Sequence, residues 1–238
     1  MGLTTKTTPI IQTIDLHKTY MQGGRPLNAL KGINLEITPG EFTAIMGPSG
    51  SGKSTLLNMI GALDRPTKGN VIINGRDLSQ LNDNQVTDLR NTEIGFIFQF
   101  FNLIPRMDAL GNVELPMAIK GTRRRKRHDR AEKLLSLVGL GDRTDHKPSQ
   151  LSGGEQQRVA IARSLANDPV LILADELTGN LDSRTGKEIM DLLRRLNIEE
   201  GKTFILITHD PMVGQSTDRI IQFKDGLIEG EKILEIEK

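Results

Sequence analysis

The stretch that decides the fold is residues 42–55, FTAIMGPSGSGKST. Its second part, residues 47–55, fits the pattern G-x-x-x-x-G-K-[ST] in full. The apolar run 42–46 precedes it and predicts a strand, and residues 56–60 follow it with helical periodicity. A strand, a glycine-rich loop and a helix in this order are the setting in which the pattern binds phosphate. A plain turn before a helix would not need the lysine and the hydroxyl.

The residue types of this loop suit a chain of phosphates bound to magnesium. Glycines let backbone N–H groups converge on phosphate oxygens, and the helix start behind them adds about half a positive charge. Lys53 can reach the outer phosphates, and the Ser54 hydroxyl can ligate Mg²⁺. The candidate phosphate-binding residues are Gly47, Ser49, Gly50, Ser51, Gly52, Lys53, Ser54 and Thr55.

Composition excludes several other chemistries. The 238 residues include no cysteine, so disulfides, thiolate metal sites and thiol nucleophiles are excluded. A net charge of +1 and an aromatic share of 3% argue against bulk attraction to nucleic acid and against a large stacking platform. A hydrophobic share of 37% with 24 glycines is typical of a globular chain, with one large domain or two lobes.

Neither a signal peptide nor a membrane span is expected. The first residues, MGLTTKTTPIIQTIDLHK, have no apolar core and no small-residue cleavage site. The aliphatic runs 170–174 and 204–207 are far shorter than the roughly 20 residues that cross a bilayer. If the protein works at a membrane, another chain must supply the membrane part.

Short apolar runs alternate with helical periodicities, which predicts a parallel sheet covered by helices. Buried strands are predicted at 42–46, 94–98, 170–174, 204–208 and 219–223. Helix faces are predicted from three stripes: Leu56, Leu57, Ile60 and Leu63; Ala131, Leu134, Leu135 and Val138; and Ile189, Leu192, Leu193 and Leu196. Short strands at 10–15, 33–37 and 71–73 stand beside Gly-Gly and Asn-Gly turn signals, which predicts an antiparallel sheet in the first part.

Two carboxylates follow the most apolar of these runs. Asp175 and Glu176 come directly after residues 170–174, and a run this aliphatic suits a strand buried on both faces. Ligands of open α/β sheets bind at the carboxyl ends of the strands. Asp175 is therefore placed to hold magnesium, and Glu176 to polarise an attacking water. The alternative, a pair of turn formers, is disfavoured beside a phosphate loop.

A second anion site is predicted at residues 151–157, LSGGEQQ. Ser152 is a good N-cap, and Glu155 completes a capping-box pattern, so an ordinary helix start is one interpretation. Gly153 and Gly154 add exposed N–H groups that could bind an anion. Two phosphate-binding helix starts in one chain imply that two ligands bind or that two chains share one.

A basic run interrupts the balanced charge. Residues 123–130 read RRRKRHDR. A solvated helix start or loop is one interpretation, and a contact with lipid phosphates or a partner is the other.

Six ordered motifs resemble one known family. GPSGSGKST, Gln99 after IGFIF, LSGGEQQ, LILADE, NLD and His209 after FILIT occur in the order found in the nucleotide-binding subunit of ATP-binding cassette (ABC) transporters. The resemblance covers about residues 10–230, and LSGGEQQ distinguishes it from other phosphate-loop ATPases. NALKGINLEITPGEF and FQFFNLIPRMDALGNVELP further resemble ATPases of the lipoprotein-release and macrolide-export type.

The resemblance implies how nucleotide would be held. Tyr20 would stack on adenine, and Gln99 would sense Mg²⁺ and water and link to the membrane partner. Ser152, Gly153 and Gly154 would close on the γ-phosphate bound by the opposite protomer. The metal-binding set would be Ser54, Gln99 and Asp175.

The resemblance also implies a catalytic set of Glu176, His209 and Gln99, with Asp182 on a loop that communicates across the dimer. His209, followed by Asp-Pro, could instead be a turn residue at a strand end. One position departs from the family, because Leu177 stands where proline usually follows the catalytic glutamate. Leucine would leave that turn freer, which puts the aim of Glu176 in doubt.

The implied fold is α/β: a phosphate-loop NTPase core with a mostly parallel sheet, an N-terminal antiparallel β subdomain and an inserted α-helical subdomain. We expect one ABC ATPase domain over 1–238, with the core and β subdomain at about 1–98 and 165–238. The helical subdomain would span about 99–164. Its first segment, 100–107, would be either core or part of a groove that receives a helix from the permease.

The implied function is an ATP-binding and ATP-hydrolysing subunit, with ATP and Mg²⁺, that powers an export-type or envelope permease. Two copies would sandwich two ATP molecules, and the subunit would sit at the cytoplasmic face of the membrane through the permease. An ATPase of a non-transport membrane regulatory complex is an alternative. A nucleic-acid-associated relative is a weaker one, since no long coiled coil separates Lys53 from Leu151 and one chain holds one cassette.

Overall fold

Two sheets of different character organise the computed structural model, which describes residues 8–234. The strands are β1 (Ile11–Gln22), β2 (Arg25–Ile37), β3 (Phe42–Met46), β4 (Lys68–Ile73), β5 (Arg76–Asp77), β6 (Ile94–Phe98), β7 (Leu171–Asp175), β8 (Thr203–Thr208), β9 (Arg219–Lys224) and β10 (Leu227–Ile233). The helices are α1 (Lys53–Ile60), α2 (Asp83–Glu93), α3 (Ala109–Ile119), α4 (Arg124–Leu137), α5 (Gly153–Ser164), α6 (Ser183–Glu200) and α7 (Pro211–Gln215).

The larger sheet has the strand order β10-β9-β3-β8-β7-β6 and is parallel except for the β9–β10 pair. Its register sets Met46 opposite Thr208, and Asp175 opposite Ile207. The carboxyl ends of β3, β8 and β7 therefore share one edge of the sheet. The loop of residues 47–55, the two acids after β7 and His209 after β8 all emerge at that edge.

The smaller sheet, in the order β2-β1-β4-β5, is antiparallel, as the turn signals predicted. Its strands extend beyond their predicted bounds: β1 runs to Gln22 and β2 starts at Arg25. The outer part of this hairpin lies largely at the surface, and its few apolar residues, such as Met21 and Leu27, do not alternate with polar ones in a way that predicts a strand. Together the two sheets confirm the predicted α/β fold.

Two of the predicted helical stripes are buried in full, those on α4 and on α6. The prediction for α1 was wrong for its last residue, Leu63. The helix ends at Ile60 with Gly61 as its C-cap, and the chain turns at Ala62 with φ 53°. Leu63 therefore leaves the stripe and is 43% exposed.

The basic run covers the start of α4, where Arg123 is the N-cap. Arg127 Nε donates to Glu114 Oε2 on α3 at 2.9 Å, and Arg130 Nε donates to the carbonyl of Ala166 at 2.7 Å. These two cations tie α4 to its neighbours. Residues 123–126 are exposed, as the interpretation as a solvated helix start expects.

Helices α3, α4 and α5 pack against one another, and α5 also packs on β6. We propose that the helical subdomain at about 99–164 is this group, with the core and β subdomain on either side of it in the chain. The single-domain prediction over 1–238 includes residues 1–7 and 235–238, which lie outside the described residues. Within residues 8–234, no helix combines the length and the apolar character needed to cross a membrane.

The packing of α5 on β6 depends on a glycine. A Cβ placed on Gly95 would lie 2.4 Å from the carbonyl oxygen of Ser164. We predict that Gly95→Ala lowers the free energy of unfolding by about 1–3 kcal/mol, because backbone must move to admit the methyl group. Urea denaturation followed by circular dichroism measures this.

Gly230→Ala is the matched control. Gly230 lies in β10 without a positive φ, and a Cβ there meets nothing within 4 Å. It should change the unfolding free energy by less than about 0.5 kcal/mol. Equal stabilities of the two variants would contradict the tight contact between β6 and α5.

Candidate nucleotide-binding site

A cleft of about 980 Å³ lies at the carboxyl edge of the larger sheet. The glycine-rich loop forms one side of it, and Tyr20, Gln99, Glu176 and His209 line it as well. The chain thus brings together residues that are up to 189 positions apart, from Tyr20 to His209. These are the predicted adenine, metal-sensing and catalytic residues.

The loop is built from close backbone contacts. A Cβ on Gly47 would lie 1.9 Å from the carbonyl oxygen of Phe223, so no side chain fits there. Gly52 is the N-cap of α1 with φ 105°, and a Cβ on it would lie 2.6 Å from the carbonyl oxygen of Ala29. With these positions reserved for glycine, the loop can pack on β9 and β2 and present backbone N–H groups to the cleft.

Lys53 is buried, with 6% of its surface exposed. Its Nζ donates to the carbonyl oxygens of Gly47 at 2.8 Å and Pro48 at 2.9 Å. Burial lowers the pKa of the Lys53 ammonium, and the charges of Glu176 and Asp175 oppose that shift. The ammonium is thus held inside the loop by neutral carbonyls, which a phosphate oxygen can replace as acceptor.

Ser51 supplies a test of whether the loop fits phosphate. Its Oγ is buried and has no hydrogen-bond partner among residues 8–234. A buried hydroxyl without a partner is costly unless another group completes its bonding. A phosphate oxygen in the loop is such a group, so the residues present fit a bound phosphate chain.

Asp175 is the last residue of β7, and Glu176 follows it with a left-handed backbone, φ 49°. Burial raises the pKa of the Asp175 carboxyl, the charge of Glu176 raises it further, and Lys53 opposes both. The Glu176 N–H donates to the carbonyl of Ile207 at 2.9 Å, which fixes the turn against β8. The Glu176 side chain is 23% exposed and faces the cleft.

His209 contacts the acid directly. Its Nδ1 lies 2.8 Å from Glu176 Oε1, and its side chain is 72% exposed. A neutral imidazole that donates from Nδ1 leaves Nε2 toward the cleft as an acceptor, and a protonated ring presents a donor there. His209 thus stands at a strand end and also contacts the carboxylate that lines the cleft.

Leu177 lies in the turn that follows Glu176, which hydrogen bonds and packing hold in place. Its side chain is buried, with 2% exposed, and its carbonyl accepts from Gln157 Nε2 at 3.0 Å. Gly179 N–H closes the turn on the carbonyl of Glu176 at 3.0 Å. The Leu177 N–H donates to no residue within 8–234, so proline would lose no hydrogen bond here.

Gln99 and Tyr20 both line the cleft. Gln99 follows β6, and its carbonyl accepts from Asn180 Nδ2 at 2.9 Å. The Tyr20 hydroxyl donates to Asp64 Oδ2 at 3.0 Å, and Lys18 Nζ lies 4.9 Å from the ring centroid. Burial and the Asp64 carboxylate raise the pKa of Tyr20, so the hydroxyl stays a neutral donor that fixes the ring.

The LSGGEQQ segment forms a different site. Ser152 caps α5, and the capping box with Glu155 is present as predicted. Ser152, Gly153 and Gly154 line a separate pocket of about 510 Å³, together with Asp182. Asp182 caps α6 and accepts from Thr185 Oγ1 at 2.6 Å. Within this chain the structure does not bring these four residues to the glycine-rich loop.

The backbone contacts that support the loop from below are not predicted by any motif. Gly226, in the turn between β9 and β10, donates its N–H to the carbonyl of Ser51 at 2.8 Å and accepts from the Lys31 N–H at 3.0 Å. A Cβ on Gly226 would lie 2.7 Å from the carbonyl oxygen of Ala29. Ala29 and the Asp225–Gly226 turn also line the cleft. The Asp-Gly pair between two apolar runs was the available signal for this hairpin.

Comparison with known proteins agrees with this geometry. The profile of the family described as ABC transporter matches residues 30–179. An uncharacterized ABC transporter ATP-binding protein of Thermotoga maritima is 54% identical over 222 residues, which cover 93% of this chain and 94% of that protein. A macrolide export ATP-binding/permease protein MacB of Syntrophobacter fumaroxidans is 51% identical over 93% of this chain, but this chain covers only 31% of it.

Solved structures give the same result. The dimeric structure of MJ0796, a bacterial ABC transporter cassette, superposes with a TM-score of 0.87 at 51% identity and covers 95% of this chain and 100% of that one. A dimeric post-hydrolysis state of MJ0796 bound to ADP and Pi gives 0.86 at 49% identity, with the same coverage. The protein of that name from Methanocaldococcus jannaschii is 53% identical over 232 residues, 94% of this chain and 97% of that protein. The chain therefore belongs to the ABC transporter family, and its fold is that of an ATP-binding cassette.

Proposed function

We propose that this chain hydrolyses ATP to ADP and phosphate as a dimer of two copies, and that the cycle drives a membrane permease of the export or envelope type. The observation that carries the proposal is the separation of two anion-binding helix starts. The loop before α1 and the Ser152–Gly154 segment before α5 lie in different pockets of one chain. A second copy placed head to tail would bring each loop opposite the other copy's segment.

ATP fits the cleft by its shape and its donors. The loop amides and Lys53 would hold the phosphates, with the unpartnered Ser51 hydroxyl among the donors. Tyr20, on the rim formed by β1, would stack on adenine. A dimeric relative of this fold is described as bound to ADP and Pi, which supports the same ligand class here.

Magnesium fits the same place by the chemistry of its donors. Ser54, Gln99 and Asp175 offer a hydroxyl, an amide oxygen and a carboxylate, which are hard oxygen ligands. Three such ligands suit Mg²⁺, since this ion usually binds through few protein groups and the substrate's phosphates. When bound, Mg²⁺ would neutralise charge on the transferred phosphate.

Hydrolysis then requires a residue that accepts a proton from the attacking water. Glu176 is the group for this role, because its carboxylate lies in the cleft and its backbone is fixed to β8. His209 would orient that carboxylate through the 2.8 Å contact and present its other nitrogen toward the outer phosphate. Phosphoryl transfer needs little covalent help from the protein, so positioning and charge neutralisation supply most of the acceleration.

The second copy completes each site in this proposal. Ser152, Gly153 and Gly154 would donate N–H and hydroxyl groups to the outermost phosphate held by the partner's loop. Asp182 would act beside them, since it shares their pocket and fixes the start of α6. Binding of ATP would thus bridge two copies, and hydrolysis would remove the bridge.

A groove of about 430 Å³ supports the permease as partner. It lies between α2 and α3, with Phe96 and Phe98 of β6 stacked at 5.7 Å on its floor. Leu63 and Ile119 on its walls are 43% and 67% exposed. Phe101, from the segment that we expected to form either core or groove, does not line it; a Cβ on Gly153 would lie 3.8 Å from the Phe101 ring.

The permease would hold the chain at the cytoplasmic face of the membrane. MacB relatives are named as ATP-binding/permease proteins and are about three times as long as this chain, which supports a membrane partner for it. The same names support an export-type permease. The groove begins at the strand that Gln99 follows, so a segment seated in it would lie close to the cleft.

We predict that Glu176→Gln lowers the ATPase rate by about 10²–10⁴-fold, because the general base is lost. ATP should still bind, and the bridged dimer should accumulate. Phosphate release and gel filtration with ATP measure the two effects. Glu199→Gln, at an exposed position near the end of α6, is the control and should keep the rate and the monomer. Near-normal hydrolysis by Glu176→Gln, or a monomer only, would contradict the assignment.

Tyr20→Ala should raise the Kd for ADP about tenfold, because a base stacked on an aromatic ring loses that contact. Tyr20→Phe keeps the ring and loses only the hydroxyl bond to Asp64, so its Kd should stay within about threefold of the unmodified chain. Isothermal calorimetry measures both. Equal affinities of Tyr20→Ala and the unmodified chain would show that the ring is structural.

Ile119→Lys should abolish copurification with the permease and leave basal ATPase unchanged, because a charge enters an apolar part of the groove. The tagged chain is isolated from detergent-extracted membranes of its native host, and bound integral proteins are quantified by mass spectrometry. Ile198→Lys, at a 63% exposed position on α6, is the control. Equal recovery of the permease with both variants would exclude the groove as its docking site.

A further inference from the structure

The groove between α2 and α3 carries charge as well as apolar surface. Its floor is Phe96 and Phe98, but Arg90 of α2 and Arg163 of α5 also line it. Among the described residues, no aspartate or glutamate lines the groove. Two cations on an apolar surface without a local anion are an unusual arrangement, since charges that leave water are normally paired.

Arg163 is the more constrained of the two. Its guanidinium is partly buried and donates to the carbonyl oxygens of Phe101 and Asn102, at 2.7 Å for the first. Burial lowers the pKa of this guanidinium, and no carboxylate within residues 8–234 lies close enough to form an ion pair with it. Neutral carbonyls satisfy its hydrogen bonds, and the C-terminal end of α5 offsets part of its charge, but no carboxylate neutralises it.

Arg90 shows the same pattern. It donates to the carbonyl of Ala62 at 3.0 Å and to Thr87 Oγ1 at 3.5 Å. The acids at the two ends of α2 are already engaged, because Asp83 pairs with Arg65 and Glu93 pairs with Arg76. Asp88 lies two positions from Arg90, on another side of the helix.

We propose that the permease segment that docks in this groove carries an aspartate or glutamate, and that its carboxylate pairs with Arg163 and Arg90. The proposal rests on the proposed function, which makes a permease the occupant. Charge complementarity decides the chemistry. A segment with apolar side chains would cover Phe96, Phe98 and Ile119, and one acidic side chain would compensate the two guanidinium groups. A basic or purely apolar segment would bury both cations unpaired.

An ion pair between Arg163 and a permease carboxylate would also affect the loop that carries Gln99 to the cleft. Phe101 and Asn102 both have a left-handed backbone, with φ 54° and 50°, and Arg163 is the side chain that holds their carbonyls. They follow Gln99 by two and three residues. A carboxylate that draws the guanidinium toward itself competes with those carbonyls, and so changes the support of the loop that carries Gln99.

Photo-crosslinking tests this proposal on the whole chain in native membranes. Leu63, on the wall of the groove, is replaced by benzoylphenylalanine in the tagged chain in its native host, and the cross-linked peptide is identified by mass spectrometry. We expect a peptide of an integral membrane protein with an aspartate or glutamate within four residues of the cross-link. A membrane peptide without such an acid would overturn this proposal and leave the proposed function standing. No membrane protein at all would contradict both.

Charge reversal is the second measurement. Arg90→Glu and Arg163→Glu should each reduce recovery of the permease at least tenfold, and changing the partner's acid to arginine should restore it. Because Arg163 also supports the loop after Gln99, Arg90→Glu keeps the test valid if Arg163→Glu fails to fold. Arg195→Glu, exposed on α6, is the control and should not reduce recovery. Loss without rescue for Arg90→Glu would overturn the proposed ion pair.

Discussion

Parallel pairing of β3, β8 and β7 is the constraint on which the rest of the structure depends. With Met46 opposite Thr208 and Asp175 opposite Ile207, the three strands end at one level. A phosphate-binding loop, two acids and a histidine can then follow three separate strands and still meet in one cleft. A shift of this register by one residue would turn each terminal side chain to the other face of the sheet. The backbone hydrogen bonds between these strands take no part in any reaction, but they position the side chains that line the cleft.

Neutral backbone groups also position the charged side chains at the cleft. The charges of Asp175 and Glu176 act on Lys53, and neutral groups hold two of the three residues: loop carbonyls accept from the Lys53 ammonium, and a β8 carbonyl accepts from the Glu176 N–H. Burial raises the pKa of the Asp175 carboxyl and lowers the pKa of the Lys53 ammonium, so both charges are costly in the free protein. Such a site favours a ligand that brings charges of its own. Phosphates and a divalent cation would replace weak internal contacts with stronger ones, so binding gains from groups that are already in place.

The placement of residues that follow strand ends could be predicted from the sequence, because motif and local structure coincide there. The loop, Glu176 and His209 are of this kind. The packing beneath them could not be predicted. Gly226 and Ala29 support the loop through backbone contacts that leave no side-chain pattern, and Arg163 meets carbonyls 61 and 62 residues away along the chain. The prediction that Leu63 belongs to the buried stripe of α1 was wrong for a local reason: the apolar spacing continues in the sequence, but the helix ends at Gly61. A contact of Ser152 with the nucleotide of a partner copy could also not be predicted from periodicity, because periodicity carries no information on contacts between chains.

Helix α5 connects the two contacts that we propose for the chain, one with the nucleotide of the partner copy and one with the permease. It begins with Gly153 and Gly154, beside its N-cap Ser152, and its last turn carries Arg163. Its twelve residues give a helix about 18 Å long whose backbone hydrogen bonds are internal. A carboxylate that binds Arg163 therefore acts on the same helix whose first turn would contact the partner's nucleotide. In the proposed assembly, one end of α5 would contact the membrane protein and the other would contact the ATP held by the partner copy. Under this proposal the two arginines stay without an acidic partner within the chain because an internal acid would pair with them and leave no charge for the permease carboxylate.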